Sequence, residues 1–268
     1  MGTAVWIGVG FGAFALACLA WGWFEAGWPR LRVLEVAVPA LPAALDGIRI
    51  VHLSDFHLGV PSRGQRAARR GVEWAARRDA DLVVLTGDLV SRPSGEPLLR
   101  ELVAKIPHSY AILGNHDLGI SRDPFSKEVV LHELEPVTLL LDEGRMLDVR
   151  GRQVWLAGFD PRSRGREPAL SSDADLRVAL SHFPTVLDRL PPGAFDLVLA
   201  GHMHDGQICL PYPGGKVRLA HPRARYTHGT YRRGDTVMHV SPGLGTTFLP
   251  FRFFARPEAT ELLLRRAA

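Results

Sequence analysis

At 268 residues the chain exceeds a minimal domain and has room for one large α/β unit or two small ones. Hydrophobic residues at 46% with charged residues at 22% exclude a disordered chain, and two cysteines, Cys18 and Cys209, exclude a disulfide framework. A net charge of +4 and a pI near 9.4 suit a surface that meets phosphate on lipid, nucleotide or nucleic acid, without choosing among them.

Thr3 to Phe24 carry no charge, a run long enough for the roughly 20 apolar residues a membrane-crossing helix needs. No basic segment precedes it, as a secretory signal requires, and Ala15-Leu16-Ala17-Cys18 has the wrong order for a lipoprotein cleavage site. Residues 1–28 therefore read as an uncleaved, single-pass anchor in the cell membrane. Arg30 and Arg32 follow it, and the positive-inside rule places the remaining chain on the cytoplasmic side.

Residues 29–46 read as a connector holding one strand, Leu34 to Val38, ahead of a main domain over 47–268. The spacing predicts a helix from Arg63 to Arg78, weakened by Gly71, with Arg66, Arg70 and Arg77 on one face. That face is a solvated stripe or a surface for anionic lipid headgroups. A second helix is expected from Glu96 to Lys105, so Ile48 to Leu113 alternates strand and helix and predicts right-handed βαβ units. Short strands follow at Thr138–Leu141, Met146–Val149, Val154–Ala157, Val178–Ser181, Leu197–Ala200, Val237–Ser241 and Glu261–Leu264. The expected architecture is α/β, a four-layer sandwich of two mixed β-sheets flanked by helices, with one N-terminal transmembrane helix.

Five apolar runs each end in residues able to bind a metal or carry a proton. Ile50 to Leu53 leads into Asp55 and His57, Leu82 to Leu85 into Asp88, and Tyr110 to Leu113 into Asn115, His116 and Asp117. Val178 to Ser181 leads into His182, and Leu197 to Ala200 into His202 and His204. Such placement delivers side chains to the carboxyl edge of a sheet, where α/β proteins build their sites. Asp55, His57, Asp88, Asn115, His182, His202 and His204 are all oxygen or imidazole donors. The i, i+2 pairs Asp55/His57 and His202/His204 would each point to one side if extended, each pair gripping one region of a metal centre.

Asp55-x-His57, Gly87-Asp88, Gly114-Asn115-His116-Asp117, His182 and Gly201-His202-x-His204, in that order, resemble the full motif set of the calcineurin-like metallophosphoesterases. The surrounding Leu53-Ser54-Asp55-Phe56-His57-Leu58-Gly59 and Ser241-Pro242-Gly243-Leu244-Gly245 are similar to a bacterial branch with an N-terminal hydrophobic segment. Asp205 departs from that branch, which usually has glycine there. The resemblance implies two divalent ions, of Mn, Fe, Zn or Mg, one held by Asp55, His57 and His204, the other by Asn115, His182 and His202, with Asp88 bridging. It also implies in-line hydrolysis of a phosphoester without a phosphorylated enzyme, with His116 at the leaving oxygen and Asp117 orienting its ring.

Arg252, the one charge in Leu249-Pro250-Phe251-Arg252-Phe253-Phe254, either binds substrate phosphate or pairs with a buried carboxylate. His52, His108, His132, His221, His228 and His239 have no motif context and read as bystanders. The expected substrate is a phosphodiester or pyrophosphate in a membrane lipid or lipid precursor. Alternatives are a general phosphodiesterase, a nuclease of the same fold, or a catalytically silent membrane scaffold. Few aromatics interleave with the basic residues, which speaks against nucleic acid, and no obligatory protein partner is inferred.

Overall fold

The computed structural model describes residues 2–127, 129, 131, 133–162, 171 and 173–267, and His132 lies outside them. Helix α1, Gly2–Ala26, is followed by strand β1, Arg30–Val38. The alternating stretch then gives β2 (Arg49–Leu53), α2 (Gly64–Ala75), β3 (Leu82–Thr86), α3 (Glu96–Val103) and β4 (Tyr110–Ile112). The second half gives β5 (Thr138–Leu139), β6 (Glu143–Val149), β7 (Arg152–Phe159), β8 (Leu176–Ser181), α4 (Val186–Arg189) and β9 (Leu197–Ala200). It closes with β10 (Cys209–Tyr212), β11 (Gly215–Arg218), β12 (Gly229–Arg233), β13 (Thr236–Val240) and β14 (Glu258–Arg266).

Two six-stranded mixed sheets result, ordered β1-β14-β2-β3-β4-β5 and β12-β13-β9-β8-β7-β6. The strand expected within residues 29–46 is β1, longer than Leu34 to Val38, and it forms an edge of the first sheet: all nine of its residues pair in parallel with β14. The β10–β11 hairpin lies apart from both sheets and was not expected, because its burial pattern is mostly exposed and carries no apolar alternation.

Side-chain alternation along the central strands sets the layers. On β2 and β3, Ile50, Leu82 and Val84 meet Val178, Leu180 and Leu199 between the sheets, while Val51, Leu53 and Leu85 face Ala67, Val72 and Leu102 of α2 and α3. The outer face of the second sheet packs Val198, Met238 and Val240 against Val186, Leu187 and Phe195. Its cover is one short helix with loops, so the two helical layers are unequal. With β2, β3 and β4 parallel, and β8 and β9 parallel beyond them, the carboxyl ends of five strands open at one edge of the sandwich.

The α1 helix does not hang free. Its Gly22 carbonyl accepts from the Arg252 amide at 3.0 Å, and the buried Glu25 carboxylate accepts from the Ala255 amide at 2.9 Å and the Trp21 indole at 3.0 Å. The stretch Val5–Ala26 is long and apolar enough to cross a membrane. Around its C-terminal end, Arg63 lies over the Phe24 ring at 5.6 Å and Arg256 over Trp28 at 3.6 Å.

Candidate metal centre

The loops leaving the five strand ends bring Asp55, His57, Asp88, Asn115, His182, His202 and His204 together. Asp55, His57 and His204 offer atoms within 4.8 Å of one another, as do Asp88, His182 and His202, and as do His57, Asp88 and His116. The i, i+2 pairs converge for a different reason from extended alternation. Asp55, His57, Asp88, His202 and His204 all adopt positive φ, between 48° and 75°, a region that costs non-glycine residues about 1–3 kcal/mol each. Each tight left-handed turn redirects its side chain inward, and His202 and His204 end up in different groups rather than sharing one.

Close loop approach requires glycine at Gly114 and Gly201. A Cβ on Gly114 would collide with the Asp88 backbone and carboxylate, and one on Gly201 with Ser54 and Asp55. These contacts bring the Asp88 loop against the Asn115 loop and the Asp55 loop against the His202 loop.

Donor chemistry tests whether the site suits a cation. The Nδ1 of His182 lies 2.8 Å from the Thr86 carbonyl, which only accepts, so that nitrogen carries the proton. Its Nε2 then points a lone pair at Asp88 Oδ2 (3.1 Å), Asn115 Oδ1 (3.0 Å) and His202 Nδ1 (3.2 Å). His182 Nε2, Asp88 Oδ2 and Asn115 Oδ1 are three acceptors crowded into one buried space, and they require a second proton or a metal ion among them. On the other side, His57 Nε2 and His204 Nε2 face each other at 3.0 Å, with Asp55 Oδ1 at 3.9 and 3.4 Å from them. Asp88 Oδ1 accepts from the His116 amide at 2.8 Å, leaving Oδ2 between His182 and His57, the latter at 3.6 Å. The residues fit a pair of divalent ions with one shared carboxylate.

The protonation pattern without metal describes the same tension. Burial alone would lower His182, but the adjacent Asp88 carboxylate outweighs it and lifts the imidazole to about 9. Burial would raise Asp88, yet the His182 charge and its hydrogen bond hold it well below the usual carboxylate range. Burial dominates at Asp55, pushed up to about 7, and holds His57 and His204 well below the ordinary histidine value. His202 falls to about 3 for the same reason.

A hydrogen-bonded chain supports Asp55 from below. His239 Nδ1 donates to His52 Nδ1 (2.9 Å), His52 Nε2 to Thr86 Oγ1 (2.8 Å), Thr86 to Ser54 Oγ (2.7 Å), and Ser54 to Asp55 Oδ2 (2.5 Å). The direction is fixed because Thr86 and Ser54 each spend their one proton toward Asp55. His52 and His239 are thus buried between the sheets and tied to a candidate ligand, not bystanders. Their inward position on β2 and β13 follows from strand alternation, which is the signal that identifies them. His221 stands with its ring 5.9 Å from that of His202, and His228 contacts Glu258 at 3.5 Å.

Two role expectations are corrected. Asp117 does not orient His116: its carboxylate accepts the amides of Val90 and Gly114, both at 2.8 Å, tying the Asp88 and Asn115 loops together. His116 is instead held by Ser121 Oγ at Nε2 (2.9 Å), with Ser91 Oγ at 3.5 Å from Nδ1, and its ring stands edge-on to His57 at 4.5 Å. Burial keeps its basicity below the ordinary histidine value.

Arg252 is enclosed by backbone and makes no ion pair with a carboxylate among the described residues. It is fully buried and donates to the carbonyls of Pro242 (2.8 Å), Gly245 (2.7 Å) and Ala255 (2.9 Å), with a guanidinium nitrogen lying 3.0 Å from His204 Nδ1. Asp205 occupies a left-handed position, φ 52°, which is where glycine would be easiest. Its carboxylate binds Lys216 and Arg218 of the β10–β11 hairpin, the latter at 3.0 Å, and fastens that hairpin beside the site.

The sequence pattern of the calcineurin-like phosphoesterases matches residues 48–206, the span that holds every candidate ligand. The uncharacterized metallophosphoesterase YkuE of Bacillus subtilis is 30% identical over 95% of this chain and 94% of its own length. The Escherichia coli phosphodiesterase YaeI is 28% identical over 91% and 89%, respectively. A transmembrane protein with metallophosphoesterase domain from Danio rerio is 30% identical over 89% of this chain, which spans 58% of that longer protein. With the motif order, the two mixed sheets and the clustered Asp and His donors in agreement, the chain belongs to the calcineurin-like phosphoesterase family.

Proposed function

We propose that the protein is a two-metal phosphoesterase, anchored in a membrane by α1, that hydrolyses a phosphodiester or pyrophosphate bond in a lipid or lipid precursor. The observation that carries the reading is the buried convergence of His182 Nε2, Asp88 Oδ2, Asn115 Oδ1 and His202 Nδ1, donors that one divalent cation would satisfy together. In this reading Asp55, His57 and His204 would hold one ion, Asn115, His182 and His202 the other, and Asp88 would be shared between them. When bound, two divalent ions activate water near neutral pH and offset phosphoryl charge during in-line displacement.

The chain's own side chains do the remaining work. The Ser54–Thr86–His52 chain keeps Asp55 oriented, so a ligand does not have to be recruited during turnover. His116, whose basicity burial holds below the ordinary histidine value, would stabilise charge on the leaving oxygen by a hydrogen bond from the ring that Ser121 and Ser91 hold, with the proton coming from water. Anchorage supports the lipid part of the reading: α1 joins the domain through Gly22 and Glu25, and the basic residues Arg63 and Arg256 surround the helix end, where anionic headgroups lie. The positive charge flanking the helix favours the cytoplasmic face.

The test is metal analysis of the purified full-length protein after exposure to Mn, Zn, Fe or Mg, with hydrolysis of bis(4-nitrophenyl) phosphate and of a lipid pyrophosphate in mixed micelles. About two bound ions per chain and chelator-sensitive hydrolysis are expected. A metal-free protein that hydrolyses either ester at full rate would end this reading.

A further inference from the structure

The loop from Thr246 to Pro250 carries a feature the hydrolytic site does not use. Phe248 and Leu249 are each 50% exposed although the loop is firmly held. Asp123 accepts from the Phe248 amide and the Thr247 hydroxyl, both at 2.9 Å, and Gln207 bonds the Thr247 amide at 2.8 Å and the Leu249 carbonyl at 3.1 Å. Phe248 has φ 56°, an outlier for a bulky residue, so its outward setting is imposed by the fold. Apolar surface fixed outward in this way marks a binding face.

Two apolar grooves meet at this loop and share Thr247, Phe248 and Leu249. One, of about 250 Å³, runs between the loop and Val60, Pro61 and Phe125. The other, of about 300 Å³, runs past Ile208 and Leu219 to His204 and His221, and so ends at the candidate metal centre. The position of the loop says what fills them. Its continuation packs on α1: the Arg252 amide bonds Gly22, the Phe251 ring meets Trp23 at 6.4 Å, and any side chain on Gly22 would clash with Phe253. Gly22 lies four residues inside the membrane-crossing stretch that ends at Ala26, or about 6 Å at 1.5 Å per residue. An α1 that crosses a bilayer as far as Ala26 would set the grooves beside its apolar layer.

We infer that the grooves on either side of Phe248 and Leu249 seat an acyl chain of the substrate lipid, drawn from the bilayer that α1 crosses, with its phosphoester presented at the centre that includes His204. This deepens the lipid reading and rests on it. The loop selects acylated esters over soluble ones of the same headgroup, and Asp123 and Gln207 act by holding it in place.

The experiment compares kcat/KM of the full-length protein for a diacyl pyrophosphate lipid in mixed micelles and for its deacylated, water-soluble counterpart, in wild type, Leu249→Asp, Phe125→Ser and Leu219→Asp. Taking the ratio of the two values cancels any difference in the fraction of folded enzyme. A lipid preference of tenfold or more in wild type, reduced at least fivefold by each substitution and unchanged by Val33→Ser on the exposed edge strand, is expected. In parallel, a Leu249→Trp variant should be quenched by lipids brominated along the acyl chain by more than wild type, whose α1 tryptophans set the baseline. Wild-type preference for the lipid with unchanged ratios and quenching of Leu249→Trp no greater than that of wild type would overturn the groove assignment while leaving the lipid reading intact. Activity on the soluble ester with no lipid preference would overturn both lipid claims but not the phosphoesterase. A concentration-dependent dimer abolished by Leu249→Asp would show that a second copy covers the loop, and would also overturn the assignment.

Discussion

Replacing Arg252 by methionine tests the most specific correction the structure makes. The guanidinium donates to three buried carbonyls, those of Pro242, Gly245 and Ala255, and packs 3.0 Å from His204 Nδ1. Each carbonyl left without a partner costs roughly 1–3 kcal/mol, so three cost about 3–9 kcal/mol. Against this stands relief from holding a charge in the interior: burial pushes Arg252 down to about 10 from 12.5, worth about 3 kcal/mol at 1.36 kcal/mol per unit. The net expected loss is centred near 3 kcal/mol, and in a domain of this size that lowers Tm by about 6–12 °C. Thermal unfolding of the detergent-solubilised full-length protein, followed by circular dichroism, measures it. Bound metal should fall too, since His204 loses the group that fixes its ring. A Tm within 2 °C of wild type, with unchanged metal and a raised KM alone, would refute the structural role and return Arg252 to the substrate.

Other outcomes follow from the same geometry. Asp88→Asn should bind less metal and lose at least 10²-fold in kcat, whereas His116→Ala should keep its metal and lose about 10²–10⁴-fold; metal content and turnover of both variants check this. Asp117→Ala leaves the Val90 and Gly114 amides unpaired and should cost about 2–5 kcal/mol in urea unfolding; a stability equal to wild type with a rate loss matching His116→Ala would restore a ring-orienting role. At Glu258 burial would raise the carboxyl, but the His228 hydrogen bond, the Thr260 hydroxyl and nearby Arg32 hold it at about 2. A depressed carboxyl stabilises the fold above its unfolded value of 4.5 and loses that contribution as pH falls toward 2. Glu258→Gln should therefore destabilise by up to about 3 kcal/mol at pH 7 and progressively less below pH 4.5, as read from urea midpoints.

The amino-acid order by itself determined the buried central strands, helices α1, α2 and α3, and where the chemistry sits on them, but not β10, β11, β12 or α4. Apolar runs that end in Asp, Asn or His announce both a buried strand and the polar loop after it, so Asp55, Asp88, Asn115, His182 and His202 are readable locally. An uncharged run of α1's length declares itself in the same way. Partners of polar groups are a different matter, because a hydrogen bond between residues far apart in sequence leaves no periodic trace. Arg252 faces carbonyls rather than an anion only because the 242–245 and 255 backbones wrap it. Asp117 binds loop amides, His52 reaches Asp55 through Thr86 and Ser54, and Asp205 fastens a hairpin whose exposed strands carry no apolar signal. The edge position of β1 was likewise invisible, since pairing with β14 joins residues more than 200 positions apart. Local pattern fixes the elements, and their packing alone decides which polar atoms meet, because burial leaves each donor and acceptor to find its partner in three dimensions.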